Sequence, residues 1–150
     1  MARAQLHFWE EPCVSGKNGS GTVFFSHCNL KCVFCQNHLI SQEFNGKTIS
    51  VERLAEIFLE LEKQGANNIN LVTPTHYVPQ IIEAIKLAKS NNLTIPILYN
   101  TNSIDSLDTI KSLDGLIDVY LPDFKYFDDK YALMYSKINN YRENALNVIK

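Results

Sequence analysis

No apolar run in this sequence approaches the ~18 residues that a membrane-spanning helix needs, so no segment is expected to cross or anchor in a membrane. The amino terminus, MARAQLHFWEEP, lacks the apolar core of a secretory leader, which points to the cytoplasm. Charge of one sign is also missing. The 14 Lys and Arg face 16 Asp and Glu, a net charge of −2, which offers nothing to attract nucleic acid. Cysteine is scarce, with four in 150 residues. In a reducing compartment those four do not read as a disulfide framework, and a cluster among them points to metal binding or catalysis.

What is present fits an ordinary globular domain, 45% hydrophobic and 20% charged, and long enough to bury a core. Residues 1–21 read as an N-terminal arm, with Phe8 and Trp9 packing on a neighbour, and then a flexible loop, SGKNGSG. The short β-branched and aromatic run at 22–26 predicts a first strand. Ser50 caps a helix predicted over 51–64, with Val51, Leu54, Phe58 and Leu61 at helical spacing and Gly65 as the stop. Further strands are expected at 69–72, 95–99 and 116–121. Helices are expected at 79–89 and 107–113, and from a cap at Asp128 to Lys137. Residues beyond 137 show no clear pattern. This alternation predicts an α/β fold of about four βα units around a parallel sheet.

The densest chemistry lies in SHCNLKCVFCQN, directly after the first predicted strand. It sets Cys28, Cys32 and Cys35 in a C-x-x-x-C-x-x-C spacing. Cys13 stands apart and reads as a small buried or idle thiol. Three close thiolates suit an iron–sulfur cluster with one iron left open, or zinc with His27 or His38 as the fourth ligand. A thioredoxin-like pair leaves Cys28 unexplained, and c-type haem needs histidine where Gln36 stands. The later strands also end in polar residues: Thr73, Thr75 and His76, then Asn100, Thr101 and Asn102, then Asp123 and Lys125. Parallel βα folds place their chemistry at that edge.

The cysteine spacing, with aromatic Phe34 before the third ligand, resembles the defining motif of the radical S-adenosylmethionine (SAM) superfamily. HFWEEPCVSG, NINLVTPTHYVPQI, ILYNTNS and IDVYLPDFKY extend the resemblance to the pyruvate formate-lyase-activating-enzyme-like branch. The resemblance implies a partial (β/α) barrel, with residues 22–150 as the N-terminal part of the core domain. It implies a 4Fe-4S cluster on Cys28, Cys32 and Cys35, with SAM chelating the open iron. Phe34, Thr73, Thr75, Asn100, Asp123 and Lys125 are then expected around SAM. The implied reaction is reductive cleavage of SAM to a 5'-deoxyadenosyl radical, which abstracts hydrogen from a glycine of a partner enzyme. The implied electron donor is of the flavodoxin or ferredoxin type.

Three departures from that pattern stand out. Thr73-Pro74-Thr75-His76 occupies the place of a Gly-Gly-Glu stretch, and Asn100 replaces an aspartate. His27 replaces a glycine, at a position that histidine fills less comfortably if the backbone needs positive φ. The implied core has six βα units, whereas about four are found, so a fragment or a chain completed by another is expected.

Overall fold

In the computed structural model, residues 1–43 and 45–150 are described. The centre is a five-stranded sheet of β1 (Arg3–His7), β2 (Ser20–Phe24), β3 (Ile69–Val72), β4 (Ile97–Thr101) and β5 (Val119–Pro122), in that spatial order. The helices are α1 (Pro12–Ser15), α2 (His38–Ser41), α3 (Val51–Lys63), α4 (Val78–Ser90), α5 (Leu107–Ser112), α6 (Asp129–Ser136) and α7 (Tyr141–Ile149). Strands β2 to β5 run parallel, and β1 lies antiparallel to β2. The four expected βα units are therefore present, in a sheet that does not close into a barrel and that carries one additional antiparallel strand.

That strand falls in the stretch read as an arm and a loop. Arg3 pairs with Phe24 and His7 with Ser20, while Ala4 and Leu6 reach the main core from the sheet edge. The Gly/Ser run also becomes strand sooner than its composition predicts, because β2 starts at Ser20. Gly21 serves close packing there: a Cβ on it would stand 2.8 Å from the Asn68 carbonyl oxygen and 3.0 Å from Ala66 Cβ. Trp9 is 90% exposed. Cys13 is exposed rather than buried.

The helices hold to the sheet through one apolar layer. Ser50 Oγ accepts the Arg53 N–H at 3.2 Å, and α3 then buries Leu54, Ile57, Phe58 and Leu61. Against them pack Ile81, Ala84 and Ile85 of α4, with Ile69 and Leu71 of β3 beneath. Fully burying a side chain of the larger kind is worth about 1.5–3 kcal/mol, which outweighs any single surface contact here. Strand alternation turns Asn70 and Val72 to the opposite face. A second apolar cluster, of Leu30, Cys32, Tyr126, Ala132, Tyr141 and Ala145, ties the cysteine loop to α6 and α7.

One partly buried carboxylate fixes the approach to β4. Glu62 Oε1 accepts from Thr94 N at 2.9 Å, Thr94 Oγ1 at 2.6 Å and Ile95 N at 3.1 Å. Burial opposes its charge, but the bonds from Thr94 and Ile95 outweigh burial and hold the carboxyl below the ordinary glutamate range. A folded-state value below the unfolded one stabilises the fold above about pH 4.3, and that stabilisation is lost as pH falls through the folded value. Glu62→Gln is expected to lower the urea midpoint slightly at pH 7. The gap from wild type should close below about pH 4, and a gap that stays constant to lower pH would remove this role from Glu62.

Candidate functional site

The loop of residues 26–37 leaves the C-terminal end of β2 and is pinned along its length by backbone bonds. His27 N donates to Ile40 O at 2.9 Å, Lys31 N to Ser136 O at 3.0 Å and Val33 N to Tyr135 O at 2.9 Å. His27 has φ +72°, so the position does take the left-handed conformation that glycine would fill without strain.

Cys28, Cys32 and Cys35 line one cavity of about 770 Å³, within the range typical of ligand sites. Each sulfur has a nearby hydrogen-bonding group. Leu30 N and Asn102 Nδ2 donate to Cys28 Sγ at 3.4 and 3.5 Å, and Ser136 Oγ donates to the buried Cys32 Sγ at 2.9 Å. Cys35 Sγ lies 3.3 Å from Ser41 Oγ. Burial pushes the Cys28 thiol up, the Leu30 and Asn102 donors pull it down, and the two other cysteines push it up again. Among the described residues no three His, Cys, Asp or Glu side chains are gathered closely enough to hold a metal ion. The three thiols thus share a cavity without meeting at a point. A set of sulfurs with hydrogen-bond donors beside them suits thiolate ligands, whose charge those donors stabilise.

The histidines that offered a fourth zinc ligand are engaged elsewhere. His38 Nε2 meets Glu43 Oε1 at 2.8 Å, and His27 Nδ1 lies 3.1 Å from the Tyr77 hydroxyl, beside a second cavity of about 420 Å³.

The ends of the later strands complete the first cavity. Thr73, Asn100, Asp123 and Lys125 line it, and so does Phe34 from the cysteine loop, 56% exposed. Thr73 has φ +58°, unusual for a β-branched residue, and its N–H donates to Asn100 O at 3.1 Å across the parallel pair. Lys125 Nζ pairs with Asp123 Oδ2 at the rim. Thr75 lies in the 3-10 turn Thr75–Tyr77, outside the residues that line the cavity. His76, on the same turn, is exposed. Burial of its ring and then His27 lower its pKa from the ordinary histidine value, which favours the neutral ring at pH 7.

Three participants were given no role from the sequence, and a fourth, Asn102, only a place at a polar strand end. Asn102 Nδ2 donates to Asn29 Oδ1 at 2.6 Å as well as to Cys28, which joins the end of β4 to the cysteine loop. Tyr141, fully buried on α7, receives the Lys125 N–H at 2.8 Å and shares its hydroxyl proton between Asn102 O at 3.1 Å and Asp123 O at 2.9 Å. Burial pushes its phenol up to about 12, so it stays protonated. Glu10 lines the cavity, and burial raises its carboxyl from the ordinary value. Asn70, with no exposure, has both amide atoms unpaired on the same face of the sheet as the cavity wall residue Val72.

Residues 22–150 match the radical SAM superfamily. A relative of this chain is an uncharacterized protein of Methanocaldococcus jannaschii, 34% identical over 145 positions that cover 91% of this chain and 41% of that protein. The chain therefore spans less than half the length of that relative. That superfamily normally carries a 4Fe-4S cluster and binds SAM, and a match over nearly the whole chain agrees with three cysteines facing one cavity at the end of β2. The chain belongs to the radical SAM superfamily.

Proposed function

We propose that this chain carries the cluster and SAM site of a cytoplasmic enzyme in the pyruvate formate-lyase-activating-enzyme-like branch, built on a partial (β/α) barrel. One observation carries the reading: Cys28, Cys32 and Cys35 open onto the same cavity as Phe34, Thr73, Asn100, Asp123 and Lys125, residues from the ends of four successive parallel strands.

In this reading the three cysteines hold a 4Fe-4S cluster. When bound, the reduced cluster supplies the electron that splits a carbon–sulfur bond of SAM, giving methionine and a 5'-deoxyadenosyl radical that abstracts hydrogen. The chain's own residues bind and orient. Asn102, Ser136 and the Leu30 N–H stabilise the thiolates. Thr73 and Asn100 present oxygen and amide groups toward SAM, and Thr75 belongs to this set through the turn it shares with Thr73. Lys125 exchanges Asp123 for the SAM carboxylate, and Phe34 offers a face to the adenine. The hydrogen donor is a glycine of a partner protein, and the electron comes from a flavodoxin- or ferredoxin-type protein.

The test is anaerobic reconstitution with iron and sulfide, followed by reduction in the presence of SAM. Formation of 5'-deoxyadenosine is the expected result. One zinc per chain, with no visible absorption near about 400 nm, would overturn the reading in favour of a structural zinc module. A cluster without the product would reduce the chain to a binding domain.

A further inference from the structure

The cavity that the cysteines face has a second wall, made by the chain between β1 and α1. His7, Trp9, Glu10 and Glu11 line it there. The backbone of this segment is fixed at several points. Glu10 N donates to the buried Ser15 Oγ at 3.0 Å, and Val14 N and Ser15 N donate to Glu11 O at 2.8 and 3.0 Å. α1 is tied in turn to the sheet, because Asn68 Nδ2 donates to Val14 O at 2.8 Å. Phe8 covers Gly19, where an added Cβ would stand 3.0 Å from its ring.

The side chains on this fixed backbone carry charge that little answers. Among the described residues, neither the Glu10 nor the Glu11 carboxylate takes part in a hydrogen bond or an ion pair. Burial raises the Glu10 carboxyl, His7 lowers it and Glu11 raises it again. Even a protonated His7 leaves two glutamates facing one cation. Lys125 is the one lysine or arginine that lines the cavity, and Asp123 already pairs with it. Trp9, at the rim, leaves its indole open to solvent.

The sheet adds an unmet amide on the same side. Along β3 and the residue before it, one face carries Asn68, Asn70 and Val72 in turn. Asn68 is bonded to α1 and to Ser20 Oγ, and Val72 lines the cavity. Asn70 stands between them, wholly buried, with neither amide atom partnered. Buried amides are nearly always bonded, and one left unmet costs free energy until a partner reaches it.

Two carboxylates, an open indole and an amide oxygen suit one class of group. Carboxylates accept charge-assisted bonds from an ammonium or guanidinium, an indole face attracts the same cation, and an amide oxygen accepts a further N–H. An anion would meet two like charges, and an apolar group would strip water from the carboxylates without replacing its bonds. We propose that Trp9, Glu10, Glu11 and Asn70 form a subsite for an ammonium or guanidinium group, carried by the molecule that gives up the hydrogen atom. The subsite uses none of the side chains assigned to SAM. Giving its cation to the hydrogen donor rests on the function proposed above, whereas the binding of a cation does not.

The experiment uses the anaerobically reconstituted protein with SAM present, and the blocked dipeptide acetyl-glycyl-arginine amide beside its uncharged citrulline counterpart. Binding is followed by calorimetry and by the emission of Trp9, the sole tryptophan of the chain. The arginine peptide is expected to bind at least about tenfold more tightly and to change that emission. Glu10→Gln with Glu11→Gln should bring the two peptides within about twofold of each other, and Trp9→Leu should weaken the arginine peptide by about two- to fivefold. The ratio is read within each variant, so a partly unfolded fraction does not disturb it. Agmatine tests the source of the cation. Binding as tight as that of the arginine peptide points to a small-molecule donor, and binding weaker by about tenfold points to a protein segment. Equal binding of the two peptides by wild type, a ratio that survives the double substitution, or binding without a change in emission would each overturn the subsite. Loss of SAM by the double variant, with the ratio unchanged, would give the carboxylates to SAM instead. If the ratio behaves as expected but no 5'-deoxyadenosine forms, the subsite stands and its assignment to a hydrogen donor falls with the cluster reading.

Discussion

Cys32→Ser is expected to abolish retention of iron and sulfide after anaerobic reconstitution, and with it every trace of 5'-deoxyadenosine. The serine is close in size and would sit in the same buried niche between Leu30 and Tyr126, so the fold should survive. An alcohol is a far weaker ligand than a thiolate for iron, and three ligands are too few to lose one. Cys28→Ser and Cys35→Ser should behave alike, while Cys13→Ser, at an exposed position away from the cavity, should change nothing. Ser136→Ala supplies the graded control. It removes the hydroxyl that donates to Cys32 but no ligand, and a loss of about 10–100-fold in affinity for the metal centre is the expected scale for such a partner. The measurements are iron and sulfide content, visible absorption and product formation. A Cys32→Ser protein that kept a full complement of iron would remove the cysteine from the site.

The second large effect is expected at Tyr141→Phe. The phenol oxygen touches Lys125 N, Asn102 O and Asp123 O together, and it does so within a buried cluster. Removing it takes a partner from the Lys125 N–H and the buried Asn102 carbonyl, while Asp123 O keeps Ser103 Oγ at 2.7 Å, at a cost of about 1–3 kcal/mol in urea unfolding. The local result matters more than the global one. Amide exchange should quicken at Asn102 and Lys125 before it does in α3 or α4, because the loops after β4 and β5 lose one of the atoms that hold them together. A stability change below about 0.5 kcal/mol, with exchange unaltered, would show that water replaces the hydroxyl.

These cases mark what could be read in the sequence. The span of α3 and the cap at Ser50 were legible because capping and helical periodicity are local properties. The bounds of β3 were legible for a similar reason, since four apolar or buried positions end at a threonine–proline turn. The cysteine motif was legible as a spacing, and the structure brings its three members to one cavity. β1 was not legible. RAQLH is short, lies at an edge and carries only two apolar residues, so its pattern does not rise above that of an arm. α7 was missed because its buried positions, Tyr141 and Ala145, are too few to set a period. Tyr141 had no signal at all in a single sequence: its partners are backbone groups of residues 16 to 39 positions away, and any residue type can supply those. Glu10 and Trp9 come near the cysteines only because β1 folds back along β2, which the arm reading did not foresee.

The bonds of Asn102 have a mechanical consequence. Its amide nitrogen has two protons, one directed to Cys28 and one to Asn29, and its amide oxygen holds the Ile104 N–H at 3.0 Å. The side chain therefore cannot turn without breaking three bonds, and the sulfur, its loop and the end of β4 are geared together. Whatever displaces the end of β4, such as a molecule entering beside Asn100, also stretches a hydrogen bond on a cysteine sulfur. Hydrogen bonds of that kind help set the reduction potential of an iron–sulfur centre. Filling the cavity and tuning the ease of electron uptake are, in this geometry, one motion.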